Sequence, residues 1–426
     1  MELKKAVYLL PILIFLVIFI GCGVLLGDFY TVPAIVAFLI ALIVAFIQSP
    51  AKNFEQKLKV VASEVGNENI ITMCFIFLAA GAFSHSVNAC GGVDSIVNLC
   101  LGIIPSDYAV AGVFLIACIL SLSMGTSMGT IAALTPITVG IAQKAGISLP
   151  LCMGATVSGA MFGDNLSVIS DTTIAAVKTQ GCKMNDKFKE NFLIVLPAAI
   201  ISVAIFIFAD KGGKVPADIG NYSIISVIPY IIVLGGALAG FNVFGVLIAG
   251  TLSSLAIGVF NGSIALNNIF AIVGDGVVSM YDITVISITV AAMVGLIKYA
   301  GGIDFILKAL TGRTNSSKGA QFGIAGLSLL VDACTANNTV AIVMTGPIAK
   351  EISGKASISP RRSASLLDIF SSVGQGLIPY GAQLLSAANL SGVTPFDIIP
   401  YMCYPILMAI SAILFILLKK DNKKAV

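Results

Sequence analysis

Two carboxylates seven residues apart, Asp164 and Asp171, lie in the string GDNLSVISDTT (Gly163 to Thr173), within a largely apolar stretch. An ionised carboxylate inside a membrane span costs about 2.5–3.5 kcal/mol or more, so a pair of them marks a place where charge is used. Asn165, Ser167, Ser170 and Thr172 accompany them in the same string. Three further polar interruptions bear glycine or amide residues: SMGTSMGT (Ser123 to Thr130) with Thr126 and Ser127, DACTANNT (Asp332 to Thr339) with Asp332, Asn337, Asn338 and Thr339, and SVGQGLIPYGA (Ser372 to Ala382) with Gln375. Carboxylate, hydroxyl, amide and freed carbonyl oxygens are the hard ligands that replace the hydration shell of a small alkali cation. The expected chemistry is a cation site in which Asp164 and Asp171 take up Na+ or protons in turn, supported by the other named residues. Taken singly, the hydroxyls serve helix-to-helix hydrogen bonding as readily, and Asp332 serves as a cap for its helix.

The surroundings of these strings are those of a membrane. The chain is 58% hydrophobic and 11% charged, with mean hydropathy +1.02. A soluble domain cannot cover its surface with so few polar atoms, and apolar runs of about 18 residues or more recur along the chain. The composition therefore predicts an all-α polytopic protein in a lipid bilayer. It contains neither the basic groove nor the aromatic platform that a nucleic-acid partner requires. The nine cysteines are scattered without metal-like spacing and read as small core residues, and no cofactor is called for.

The second half of the chain repeats the first, displaced by about 210 residues. ACGGVDSI (Ala89 to Ile96) matches YAGGIDFI (Tyr299 to Ile306), Pro150 falls on Pro360, SMGTSMGT on DACTANNT, and GDNLSVISDTT on SVGQGLIPYGA. Matched breaks in duplicated apolar segments point to a secondary transporter and to its binding site. We expect two repeats, 1–210 and 219–426, each with five spans and one re-entrant hairpin. In the first repeat the full spans fall near 6–27, 31–49, 70–88, 150–179 and 189–209. In the second they fall near 223–240, 243–261, 283–299, 364–390 and 398–418. A single helix over 107–144 would be about 57 Å long, nearly twice a ~30 Å hydrocarbon core, so that segment is read as a hairpin, as is 318–350. The spans 150–179 and 364–390 are broken in the middle.

Five crossings per repeat require the second repeat to insert upside down. With both termini cytoplasmic, 21 of the 24 basic residues fall on the cytoplasmic side, leaving Lys144, Lys211 and Lys214 outside. The stretch Ala6 to Gly27 is long enough for a crossing and has a mid-chain counterpart, which favours a span over a cleaved leader. Asp94 and Asp304 sit at equivalent places where short lateral helices begin and are read as N-terminal capping residues. His85, away from the breaks, is read as a packed or snorkelling residue, with a proton relay as the alternative. Asp368 follows Arg361 and Arg362 by two turns, toward the cytoplasmic rim, and receives no role.

The string GDNLSVISDTT resembles the signature of NhaC-type Na+/H+ antiporters. Asp164, Ser167, Ser170, Asp171, Thr172 and Thr173 match it, and Val168 stands where that family has proline. The hydropathy profile is similar to that family and to its wider ion transporter superfamily over essentially the whole chain. The resemblance implies an elevator-type architecture, with a scaffold carrying homodimer contacts and a moving transport domain of hairpins and broken spans. It also implies exchange of Na+ for H+ in a bacterial cytoplasmic (inner) membrane. Related members carry organic acids or amino acids, so Na+- or H+-coupled movement of a small organic substrate is the alternative, and the amide-rich Ala336 to Thr339 tip suits a carboxylate. Tyr281-Asp282 and Phe162-Gly163-Asp164 also raise an intramembrane aspartyl protease, but their order is reversed and Met161 replaces the first glycine. A channel is the remaining alternative, and paired hairpins suit alternating access better.

Overall fold

The computed structural model describes residues 5–26, 33–103, 106–167, 170–209, 221–303, 305 and 316–419. Val168, Asp304 and several residues of the charge count (Lys4, Lys211, Lys214, Lys308, Arg313 and the lysines beyond 419) lie outside the described residues, as does most of the second lateral helix. Every regular element among the described residues is helical.

In the first half the order is α1 (Leu10–Leu26), α2 (Ala34–Gln48), α3 (Phe54–Val65), α4 (Glu68–Ala89), α5 (Gly92–Ile103), α6 (Ala109–Met124), α7 (Ser127–Ala145), α8 (Leu149–Leu166), α9 (Asp171–Gln180) and α10 (Met184–Ala209). In the second half come α11 (Ile224–Leu238), α12 (Val243–Phe260), α13 (Ile269–Ser279), α14 (Tyr281–Ala300), α15 (Ser317–Thr335), α16 (Asn338–Lys355), α17 (Pro360–Leu377), α18 (Ala382–Ser391), α19 (Pro395–Ile398) and α20 (Cys403–Leu418). From α7 through α9 the counterparts are displaced by 211 residues, Ser127 matching Asn338 and Asp171 matching Ala382. Pro136 within α7 and Pro347 within α16 keep the same displacement.

Packing partners exchange between the halves. Helix α2 lies on α14 while α12 lies on α4, and the connector α3 lies on α14 while α13 lies on α4. Deeper in the molecule α9 packs on α16, and α18 packs on α7. Two sets of helices result: the second and third helices and the connectors of the two halves crossed against each other, and the hairpins interlocked with the broken helices.

Length and composition mark Ile70–Ala89, Met184–Ala209, Val243–Phe260 and the run Leu266–Ala300 as able to cross a membrane, and α19 with α20, bent by 50°, makes a fifth. The remaining apolar helices among the described residues, α1, α2, α5, α6 and α11, are shorter. The second broken helix begins at Pro360, four residues before the expected 364. Ser359 in extended conformation followed by proline in the first turn starts a helix there, where a missing N–H costs nothing.

Both hairpins turn over two residues. Gly125 has φ 65° at the first tip, and its counterpart Ala336 has φ 49° at the second. An alanine in the left-handed region costs about 1–2 kcal/mol, which glycine does not. Ala336→Gly is therefore expected to raise the melting temperature, with a net gain of about 0.5–1 kcal/mol after the added freedom of the unfolded chain. An unchanged or lower melting temperature would show that this tip is not left-handed.

Candidate functional site

The hairpin tips and helix breaks meet around one cavity of about 600 Å³. Of the expected site residues, Thr126, Ser127, Asp164, Ser170, Asp171, Thr172, Asn337, Asn338, Thr339 and Gln375 line it. The first turns of α7, α9, α16 and α18 all contribute to its wall. Thr126 accepts a hydrogen bond from the Gly129 amide, and Asn337 accepts one from Val340, so both tips are held as N-terminal caps. Helix N-termini carry about half a positive charge each, so the cavity favours carboxylates, whether its own or a solute's.

Asp164 is buried in the last turn of α8. Ser127 donates to its Oδ2 at 3.0 Å, and the Ser170 hydroxyl donates to its Oδ1. Gln383 Nε2 donates to the Ser127 hydroxyl at 3.1 Å, while Gln375 Nε2 donates to Gln383 Oε1 at 2.7 Å and to the Ala336 carbonyl at 3.2 Å. One chain of hydrogen bonds thus runs from the first broken helix through the first hairpin tip and the second broken helix to the second hairpin tip. Asp171 opens the first turn of α9 and is exposed at the cavity wall. The backbone must come very close for this geometry. A Cβ on Gly163 would lie 2.3 Å from the Leu122 amide nitrogen, so only glycine lets α6 press against α8 beside Asp164.

Three expected residues are placed elsewhere. Asp332, in the last turn of α15, is fully buried beside Gly374 and does not line the cavity; neither carboxylate oxygen has a hydrogen-bond partner among the described residues. Asn165 turns away, and its carbonyl accepts from Lys187 and Asn191, both at 3.0 Å. Ser167 is buried and also does not line the cavity. Asp94, read as a cap, pairs with Lys144 at 2.6 Å. His85 is exposed on α4 and takes no part in the cavity.

Gln383, which the sequence groups with the polar residues around the breaks, also lines the cavity, and two basic residues counted on the cytoplasmic side are buried. Lys187 and Arg362, both among the 21 basic residues counted on the cytoplasmic side, are each only 1% exposed. Asp368, assigned to the rim, is fully buried and pairs with Lys187 at 2.5 Å. The available signal lay on α10, where Lys187, Glu190, Asn191, Ile194 and Ala198 recur at helical spacing and share the buried face.

A second cavity of about 550 Å³ adjoins the first, sharing Met73, Ala336, Asn337 and Ala382 with it. Its walls are mainly apolar, among them Ile70 and Met73 of α4 and Ile286, Val290 and Val294 of α14.

A family model described as the Na+/H+ antiporter family matches residues 2–211 and 219–419. The chain is 24% identical over 416 residues to the Na(+)/H(+) antiporter NhaC of Alkalihalophilus pseudofirmus, covering 90% of this chain and 89% of that protein. It is 24% identical over 432 residues to the Malate-2H(+)/Na(+)-lactate antiporter of Bacillus subtilis, covering 92% and 91%. Among solved structures, the YdaH transporter of Alcanivorax borkumensis aligns with a TM-score of 0.44 and 12% identity, over 90% of this chain and 95% of that one.

Proposed function

The chain belongs to the Na+/H+ antiporter family, a family of multi-pass secondary transporters, and we propose that it exchanges Na+ for H+ by alternating access, with Asp164 and Asp171 as the shared cation and proton site. The observation that carries this reading is the hydrogen-bond chain from Asp164 to Ala336, which ties both tips and both breaks to one cavity. In each half-cycle the carboxylates hold either Na+ or protons. An empty site with two bare carboxylates crosses the bilayer poorly, which enforces exchange. The two halves insert with opposite topology, both termini in the cytoplasm of a bacterial cell. The exchange of packing partners and the two separate family matches support that arrangement. Hairpins and broken helices then form the moving body of an elevator, and the crossed helices α1–α4 and α11–α14 form the scaffold, through which the protein pairs as a homodimer. Asp332 stays outside the cavity as a buried acid against Gly374, and Asn165 and Ser167 hold the break in shape.

The second reading is coupled transport of a small organic acid or amino acid. Two observations favour it: four helix N-termini facing the cavity suit a solute carboxylate, and the adjoining apolar chamber suits the rest of such a molecule. The printed activity of the Bacillus subtilis relative is of this kind. In proteoliposomes loaded with a pH dye, imposed sodium is expected to drive proton movement without any organic solute. Proton movement that appears only when a small carboxylate or amino acid is added would transfer the assignment to the second reading. No sodium-dependent movement under either condition would remove both.

A further inference from the structure

The oxygens freed at the first helix break do not all face the cavity. On the far side of the break the Lys187 ammonium meets Asp368 Oδ2 at 2.5 Å, the Thr173 hydroxyl at 2.6 Å and the Asn165 carbonyl at 3.0 Å. Asn191 Nδ2 bridges the same carboxylate oxygen and the same carbonyl, at 2.9 and 3.0 Å. These partners come from the end of α8, from α9, α10 and α17. A carboxylate, a hydroxyl and an unwound carbonyl converging on one point form the ligand set that replaces water around a small cation. Here the point is occupied by an ammonium, itself a compact, strongly hydrated charge on a flexible stem.

We propose that Lys187 is a tethered cation: its ammonium permanently fills a second cation position at the break, leaving the Asp164 and Asp171 cavity as the position that exchanges. A fully buried carboxylate such as Asp368, one of whose oxygens lacks a hydrogen-bond partner among the described residues, demands a neighbouring positive charge. Lys187 supplies it from the same chain, so the position need not be filled from solution in each cycle. The inference goes beyond the exchange reading and stands on the ligands of the ammonium, whichever residues carry the transported ion.

The test uses the purified full chain with Lys187→Ala. In choline buffer its melting temperature should fall below that of the unaltered protein. Sodium or ammonium, at matched ionic strength, should restore it along a saturable curve, because a free ion then fills the vacated position. The restoration should vanish in Lys187→Ala/Asp368→Asn. Equilibrium binding of radiolabelled sodium to Lys187→Ala should be roughly twice that of the unaltered chain, and the added ion should persist in Lys187→Ala/Asp164→Asn. That last variant separates this inference from the exchange reading, because it removes a carboxylate of the exchanging site and leaves Asp368 in place. A melting temperature that responds equally to choline and sodium, or an unchanged sodium stoichiometry, would reduce Lys187 to a structural cap of α8. Should Lys187→Ala not fold without sodium, Lys187→Gln, which has two donors in place of the ammonium's three and carries no charge, is measured in the same way. Failure of both variants to fold even in saturating sodium also overturns the proposal, since a free cation would then have failed to substitute.

Discussion

Asp164→Asn is expected to abolish sodium-driven proton movement in proteoliposomes while leaving the protein folded. The carboxylate accepts from two hydroxyls, Ser127 and Ser170, inside the last turn of α8. An amide has the same shape, and either hydroxyl can rotate to meet its oxygen or its NH₂, so the packing around Gly163 is kept. The charge is what disappears. A unit charge about 4 Å from a cation, at an effective dielectric near 20, contributes about 4 kcal/mol, which is roughly a thousand-fold in affinity. The proton-carrying group is lost with it, so neither half-cycle is served. The measurement is dye-reported proton flux against imposed sodium, with the melting temperature as the control for folding. Exchange within about two-fold of the unaltered protein would displace Asp164 from the site, since the electrostatic loss alone is about 4 kcal/mol.

Arg362→Ala should produce the largest loss of stability. The guanidinium is buried in the first turn of α17, where Nε donates to Glu190 Oε1 at 2.5 Å and Nη1 to Gln321 Oε1 at 3.1 Å. Its other face lies 4.3 Å from the centre of the Phe415 ring. It therefore joins α10, α15, α17 and α20 at one point. Removing it leaves Glu190 buried with, among the described residues, only the more distant Arg361, at 3.8 Å, to offset its charge. Breaking a buried pair in this way costs about 3–5 kcal/mol, and the partial compensation by Arg361 puts the expected loss near the lower end, about 3 kcal/mol. A fall in melting temperature of roughly 3 °C is expected for a cooperative unit of this length. Arg362→Met/Glu190→Gln should recover part of it, because the stranded charge is then absent. Equal losses in the single and double variants would mean that packing around the side chain, rather than charge, stabilises this corner.

The breaks were legible in the sequence because a bilayer punishes exposed backbone. Glycine and amide residues inside an apolar run, repeated about 210 positions later, have little purpose other than to end one half-helix and begin another. That logic pointed to ten of the cavity-lining residues without any knowledge of packing. It failed where a residue's surroundings come from distant helices. Lys183, Lys187 and Lys189 form one basic cluster in the sequence, yet only Lys187 turns inward, because its position on α10 puts it on the face that meets α17 and the end of α8. Asp332 and Asp164 are both buried acids beside a break, yet Asp164 reaches the cavity and Asp332 packs against Gly374.

By itself, then, the order of residues determined the lipid-embedded helical class, the doubling of the chain and the positions where helices stop, since these follow from hydropathy and local backbone preference. Only the tertiary structure decided which polar groups share a cavity, which acid is paired with lysine, and that Gln383 closes the link between the two halves. The physical reason is that buried charges and hydrogen bonds are satisfied across helices far apart in sequence, by side-chain directions that periodicity narrows to a face but does not match to a partner.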